Sequence, residues 1–313
     1  MEFVRNFNKL DKKDVSLAGG KGASLGEMTK AGIPVPPGFV VLADSFEKFL
    51  EETDLNVEID HIIKKEVKHE DINSVEKASL KIRDLIRDAK FPDDIAKSVE
   101  AEFKKLGAKF VAVRSSATAE DSSIASWAGE LESYLNTTEK DLLNKVKMCW
   151  SSLFTPRAIF YRFEKGLQDS KVSVAVVIQK MVQSEVSGIT FTVHPVTEDR
   201  KQMVIEAGFG LGEAIVSGMI TPDAYVIDKT DLSIMDINVA SQEKYIIYTP
   251  KGNKFTNVPA DKRDDQKLSG AQILELSKIC VGIEKHYAFP CDIEWAMEKN
   301  KFYIVQSRPI TTL

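Results

Sequence analysis

Two stretches near the C-terminus, Cys291-Asp-Ile-Glu-Trp295 and Phe302-Tyr-Ile-Val-Gln-Ser-Arg-Pro309, decide how the second half of this chain folds. Both alternate apolar and polar residues with a period of two, the pattern of a half-buried strand. Asp292 and Glu294 then share one face of the first strand, and Gln306 and Arg308 share one face of the second. The residues between them include Glu298, Lys299 and Asn300, which predicts a hairpin. Side-chain parity adds a condition. An odd turn such as 298–300 sets Asp292 opposite Gln306 and gathers all four polar groups on one face, whereas an even turn splits them across the sheet. Two carboxylates, an amide oxygen and a guanidinium on one face can hold Mg²⁺ through hard oxygens and clamp a phosphate. The same four residues also suit the solvated outer face of an edge hairpin, and by themselves they leave both readings open.

A second candidate lies at the other end of the chain. Ala18-Gly-Gly-Lys-Gly-Ala-Ser-Leu-Gly-Glu-Met28 opens with glycines and predicts a helix that ends at Gly32, before Ile33-Pro-Val-Pro-Pro-Gly38. Lys21 therefore stands at a helix N-terminus, where open backbone N–H groups and the dipole favour an anion. No G-x-x-x-x-G-K-[ST] spacing occurs, so this is not a Walker loop; glycine before a helix also commonly marks a plain turn. Third comes Lys109-Phe-Val-Ala-Val-Arg-Ser-Ser-Ala-Thr-Ala-Glu-Asp-Ser-Ser123. A short apolar strand delivers Arg114 to a hydroxyl-rich loop, the sort of place where ligands sit, and its guanidinium can grip a phosphate through two donors. The alternative is a surface arginine beside a linker, against which Trp127, Leu131 and Tyr134 argue.

Taken together, GGKGASLGEM, VRSSATAEDSSIASWAGELESYLN, SGITFTVHP, IEAGFGLGEAIVSG, DIEWA and FYIVQSRPIT resemble the nucleotide-binding domain of the pyruvate,phosphate dikinase and phosphoenolpyruvate synthase family. Rifampin phosphotransferase shares that domain, and the resemblance runs in order through essentially the whole chain. It implies an α+β, ATP-grasp-like two-lobed clamshell that holds ATP between its lobes. The helical N-terminal lobe would span residues 1–182 and the strand-rich C-terminal lobe residues 183–313.

It further implies that Lys21 and Arg114 contact the ATP phosphates, that Gly129 and Ser133 line a loop over them, and that Glu294 and Gln306 hold Mg²⁺. Arg308 would grip a phosphate, with Asp292 supporting the metal or a nearby ligand. The strand 172–182 matches the segment bordering adenine, which places Gln179, Lys180, Met181 and Val182 there. Backbone groups of 180–182 would read the adenine edge while Met181 packs on the ring. Glu206 and Glu213, around Gly208, Gly210 and Gly212, are weaker candidates. That stretch fails G-x-G-x-x-G because position 213 is Glu, so a Rossmann reading has little support.

Two positions depart from the family pattern: Glu130 stands where relatives more often carry glutamine, and Trp127 where they carry phenylalanine. In the family, ATP pyrophosphorylates a histidine on a separate swivelling domain. The Gly-Gly-x-x-Ser-His type motif of that domain does not occur here, so the expected partner is a phosphohistidine domain or subunit. His61 and His69 lie in a charged helical stretch, His194, after a strand and before Pro195, reads either as a capping residue or as one at the cleft edge, and His286 falls near a helix end, where a cation favours the dipole. None is assignable as the carrier.

At 313 residues with 43% hydrophobic content, the chain can bury a sizeable core. A net charge of −5 disfavours nucleic acid as a partner, and no apolar run reaches the ~18–20 residues of a membrane helix. The opening MEFVRNFNKLDKK lacks a signal peptide's apolar core. Cys149, Cys280 and Cys291 are odd in number and far apart, which fits a reducing, cytoplasmic setting without a zinc site.

Helices are predicted over 45–52, 74–90, from Pro92 to Gly107, over 138–150 and 156–166, and from Ser269 with Ile273, Leu276, Cys280, Ile283 and Tyr287 inward. The charged stretch 51–73 reads as the most loop-like. Strands are predicted at 172–182, 186–193, 202–207, 223–228, 233–239 and 244–249. The expected function is ATP-dependent phosphoryl donation, by a dikinase part that acts on a separate histidine domain or by the matching part of a rifampin-phosphotransferase-type enzyme. A nucleotide-sensing module without net chemistry is the alternative from another class.

Overall fold

A computed structural model describes residues 2–68, 70–118, 131–167, 172–249 and 252–311. The chain divides into two compact units, one formed by Met1–Glu27 with Pro37–Met181 and the other by Met28–Pro36 with Val182–Leu313.

The first unit is built on strands β1 (Val4–Asn6), β2 (Gly38–Val41), β3 (Val111–Ala117), β4 (Ser133–Thr137) and β5 (Val174–Lys180). They pair antiparallel in the order β1-β2-β5-β3-β4. Its helices are α1 (Val15–Lys30, whose last residues belong to the second unit), α2 (Ala43–Glu52), α3 (Leu55–Glu66), α4 (Ile72–Asp88), α5 (Asp93–Leu106), α6 (Leu142–Ser151) and α7 (Pro156–Glu164).

Strand alternation assigns the two sheet faces separate jobs. Phe39, Val41, Val111, Val113, Ala117, Val174, Val176 and Ile178 enter one core with Phe46, Phe49, Ile82, Val99 and Trp150 of the helices. Trp150 stacks on Phe49 at 5.0 Å and on Phe91 at 5.2 Å, and each large side chain buried this way contributes roughly 1.5–3 kcal/mol. Local signals delimit the helices. Asp71 accepts the Asn73 N–H at the start of α4, and Thr155 accepts the Ala158 N–H with Pro156 opening α7. Gly107, at φ 61°, ends α5 in the left-handed region.

The stretch expected to be loop-like is largely helical. Leu55, Ile59 and Ile62 recur at helical spacing along α3 and are buried, so an apolar stripe three residues wide outweighs the surrounding charge. Strands β1 and β2 are too short to have been read from alternation alone.

The second unit contains β6 (Val186–Phe191), β7 (Gln202–Phe209), α8 (Glu213–Val216), β8 (Asp223–Asp228), β9 (Ile234–Asn238), β10 (Lys244–Thr249), β11 (Gly252–Asn257), α9 (Gly270–Tyr287), β12 (Cys291–Glu298) and β13 (Lys301–Pro309). Six strands form an antiparallel sheet in the order β13-β12-β6-β7-β8-β9, and β10 and β11 form a separate hairpin. A reciprocal capping box between Ser269 and Gln272 starts α9. Its buried residues Ile273, Leu276, Cys280 and Ile283 are four of the five expected inward, and Tyr287 is half-buried beside Phe289.

Two features hold this unit in register. Trp295, 1% exposed, lies over Gly188 of the neighbouring strand, where a Cβ would stand 2.4 Å from its ring. The Lys267 ammonium meets Asp223 at 2.9 Å with both side chains fully buried. Asp223 also accepts from the Ala240 and Lys267 N–H groups and the Tyr225 hydroxyl, so its charge is compensated on all sides. The Met28–Pro36 segment joins the unit at the sheet edge, where the Ile304 N–H donates to the Pro34 carbonyl at 2.9 Å.

The Gly188 contact yields a stability prediction. A Cβ there would also lie 1.9 Å from the Glu206 carbonyl oxygen, so Gly188→Ala forces the strand to shift. Overpacking of this kind costs ~1–3 kcal/mol, which should lower the urea midpoint at unchanged m-value.

Candidate functional site

In the first unit, the sheet face turned away from the core carries the polar residues singled out by sequence. Arg114 and Ser116 lie on this face of β3, alternating with the core residues Val113 and Ala117. Arg114 pairs with Val177 of β5 and with Ser133 of β4, so Ser133 is its direct cross-strand neighbour on that face. Arg114 is 9% exposed, which removes the surface-arginine alternative. Its Nη1 donates to the Gln179 Oε1 at 3.4 Å. Gln179 is 2% exposed, and its Nε2 has no partner among the described residues. Gly129 lies outside the described residues, as do Trp127, Glu130 and His69.

The glycine motif rests on the same face. Gly19 has φ 68° and ψ 171° and interrupts α1, so a first turn from Val15 precedes the break and a helical run that includes Lys21 follows it. Its backbone sits directly on β3, where a Cβ would lie 2.2 Å from the Ser116 Oγ and 2.3 Å from its carbonyl oxygen. The Ser116 hydroxyl donates to the Ala18 carbonyl at 2.9 Å and accepts the Gly22 N–H at 3.2 Å. Lys21 is half-buried beside this contact. The expectation of a helix N-terminus at Lys21 missed the turn before the break, because only the contact with Ser116 separates the two pieces.

For the strand end that was to read adenine, the structure narrows the donors. The Lys180 N–H is committed to the Pro37 carbonyl and the Met181 N–H to the Phe110 carbonyl, so neither donates to a ligand edge there. Lys180 is exposed, Met181 half-buried and Val182 7% exposed.

In the second unit, the C-terminal hairpin brings Asp292, Glu294, Gln306 and Arg308 to one face, by a route other than the expected one. The turn is the even pair Lys299–Asn300, both left-handed at φ 52° and 60°, closed by Glu298 opposite Lys301. Asp292 stands opposite Arg308, and Glu294 opposite Gln306; the expected pairing of Asp292 with Gln306 through a three-residue turn is incorrect. A β-bulge supplies the odd residue. Between Glu294 and Trp295 the register shifts so that Trp295 faces Ile304, leaving Val305 as the extra residue.

Arg308 donates to the Asp292 Oδ2 from Nε at 2.9 Å and from Nη2 at 2.7 Å. Asp292 thus orients the guanidinium directly. Beside this pair, Glu294 and Gln306 present a carboxylate and an amide oxygen across one rung. These hard donors fit a small divalent cation, which carboxylates and amide carbonyls bind through oxygen.

A fifth polar group joins the face. Glu206 of β7 pairs with Ile189, which in turn pairs with Glu294, placing Glu206 in the same row two strands away. Burial, and then the charge of Asp292, raise its pKa. Glu213 is exposed at the start of α8.

The three histidines among the described residues are accounted for locally. His194 Nδ1 accepts the Val196 and Thr197 N–H groups at 3.3 and 3.2 Å, a capping role. His61 is exposed, and His286 packs edge-on against Tyr287. Cys149, Cys280 and Cys291 are buried thiols pushed up to about 12, chiefly by burial, which makes them poor nucleophiles.

Two predictions follow from this geometry. Gly19→Ala needs a backbone conformation that only glycine adopts readily and puts a methyl group into Ser116; it should cost ~2–4 kcal/mol of stability, read by urea denaturation. Glu206 carries a raised folded-state pKa, so the folded state holds its proton more tightly than the unfolded chain. Stability therefore falls as pH rises from the ordinary glutamate range through the raised value. Glu206→Gln should flatten that fall and leave the variant the more stable at neutral pH, measured as urea midpoints across the acid-to-neutral range.

The chain is similar to known proteins along its whole length. The family model for the pyruvate phosphate dikinase AMP/ATP-binding domain matches residues 15–313. A probable phosphoenolpyruvate synthase from Methanocaldococcus jannaschii is 47% identical over all of this chain and 27% of that protein. The phosphoenolpyruvate synthase of Pyrococcus furiosus is 41% identical over 99% of this chain and 44% of that protein. Rifampicin phosphotransferase from Bacillus subtilis is 42% identical over 99% of this chain and 36% of its own length. The chain thus spans less than half of each of these relatives. Among solved structures, a D-alanine–D-alanine ligase from Helicobacter pylori aligns at TM-score 0.26 and 13% identity over 69% of this chain and 53% of that one, a likeness too slight to carry an argument. Matched over nearly its whole length, the chain belongs to the pyruvate phosphate dikinase AMP/ATP-binding domain family.

Proposed function

We propose that this chain is the ATP-binding, phosphoryl-donating part of a phosphoenolpyruvate synthase-like dikinase, with an ATP-grasp type of nucleotide site, and that it phosphorylates a histidine on a separate domain or subunit. The observation that carries the reading is the hairpin face. A carboxylate and an amide oxygen share one rung, and an arginine oriented by a carboxylate occupies the next, in a chain matched by an AMP/ATP-binding family over residues 15–313.

Each residue then has a role. Lys21 and Arg114 bind phosphate oxygens, and Gln179 steadies Arg114 through its amide oxygen. Ser133, the cross-strand neighbour of Arg114, lies beside the phosphates, Gly129 contributes to the same nucleotide site, and the strand end at Gln179–Val182 borders adenine. Glu294 and Gln306 hold Mg²⁺, which when bound neutralises phosphate charge. Arg308 grips a phosphate while Asp292 keeps its guanidinium in place. Arg114 beside Gln179 and Arg308 beside Asp292 are each oriented within their own unit, so each can stabilise developing charge with little reorganisation of its own side chain. A cytoplasmic setting suits such an enzyme, and among the described residues no helix is long and apolar enough to cross a membrane.

The 42% identity to a rifampicin phosphotransferase favours a second reading, in which the same ATP chemistry serves an antibiotic acceptor. A purely sensing module fits less well, because a degenerate sensor need not keep both Glu294 and Gln306 beside the phosphate-gripping arginines.

The test is transfer from β-³²P-labelled ATP with Mg²⁺ to a separately supplied histidine domain of a phosphoenolpyruvate synthase or a rifampicin phosphotransferase. Acid-labile, base-stable label should appear on that domain, and Glu294→Ala should slow its appearance by ~10²-fold or more. ATP binding with no label on either domain would return the sensing module to first place.

A further inference from the structure

Ser116 has no assigned part in the site, yet one hydroxyl there spans the break in α1. It donates to Ala18 on one side of Gly19 and accepts from Gly22 on the other. Ser116 is fully buried, so water cannot replace either bond. Gly19, at φ 68°, lies so close to the Ser116 backbone that no side chain fits between them. The hydroxyl therefore sets both ends of the five-residue span from Ala18 to Gly22, which contains Lys21.

Its neighbour cannot substitute. Ser115 faces the other side of β3, where its hydroxyl is engaged with Ser152, the Cys149 carbonyl and the Glu132 carbonyl. Arg114, two residues before Ser116, shares its face. One strand thus carries Arg114 directly and positions Lys21 through Ser116.

We propose that Ser116 is a positioning residue for phosphate binding: it holds the Lys21 turn in fixed relation to Arg114, so that both cations are in place before the nucleotide arrives. This rests on the reading above that Lys21 contacts phosphate. Ser116→Ala removes the hydroxyl's bonds to both backbone groups and frees the turn to move. The part of ATP affinity that comes from the phosphates should fall, while binding of the nucleoside should not.

The experiment is calorimetric titration with Mg-ATP and with adenosine, on wild type, Ser116→Ala and Lys21→Ala, at a temperature where circular dichroism shows each variant folded. Ser116→Ala is expected to weaken ATP roughly five- to tenfold and to change adenosine binding less than twofold. A purely structural defect would weaken both ligands in proportion, and that result, or unchanged ATP affinity, overturns the proposal. If Lys21→Ala keeps the full ATP-over-adenosine preference, the Lys21 reading itself fails and takes the proposal with it. Loss in Lys21→Ala with none in Ser116→Ala overturns the proposal alone. Should Ser116→Ala not fold, Ser116→Cys replaces it, with a smaller drop in the ATP-to-adenosine ratio expected and an unchanged ratio counting against the proposal.

Discussion

The single extra residue at Val305 governs the chemistry available to the second unit. With the even Lys299–Asn300 turn and no bulge, residues of odd number on β13 would stand opposite residues of even number on β12 along the whole hairpin. Gln306 and Arg308 would then face the helix-covered core, and Asp292 and Glu294 would lose their partners. The bulge shifts parity halfway along, so that the near half of the hairpin packs Trp295, Met297, Phe302 and Ile304 on one face while the far half places four polar groups together on the opposite face, with Asp292 and Gln306 themselves buried there. At that point the Ile304 N–H is taken by Pro34, so the sheet edge beside the bulge stays hydrogen-bonded.

A comparable division of labour organises the first unit. One face of its sheet lies under the helical layer around Trp150, and the other carries Arg114, Gln179, Ser116 and the glycine break of α1. Close backbone approach is the governing constraint there. A glycine at position 19 lets α1 lie on β3 with only a serine hydroxyl between them, and that contact brings two motifs almost a hundred residues apart in sequence into one arrangement. Arg114, nearly buried, is held by Gln179, whose own amide nitrogen stays without a partner among the described residues. Such an orphan is costly in a buried setting and is commonly resolved by a ligand or ordered water.

The Gly-rich segment 208–212 is braced rather than loose. The Gln242 side chain takes both the N–H and the carbonyl of Phe209, mimicking a strand partner, and the Ser184 and Ser187 hydroxyls converge on the Gly210 carbonyl. Gln242 in turn depends on the stretch that the buried Asp223–Lys267 pair and the Lys267–Ala240 bond fasten to the sheet. The segment thus owes its shape to side chains 23 to 33 residues away in sequence, which no glycine spacing reveals.

What the sequence by itself determined was local and periodic. Alternation at 291–295 and 302–309 marked the strands and the residues sharing a face, the apolar stripe of α9 and its Ser269 cap marked that helix, and the ordered motifs marked the family. Charge density concealed α3, because only Leu55, Ile59 and Ile62 announce it. The tertiary structure alone decided the parity of the hairpin, the pairing of Asp292 with Arg308, the commitment of the Lys180 and Met181 N–H groups, and the clasp of Ser116 on the Lys21 turn. Each depends on which backbone lies against which, a contact between distant segments that no single stretch encodes, since one bulged residue or one close glycine reverses the outcome while leaving the local pattern unchanged.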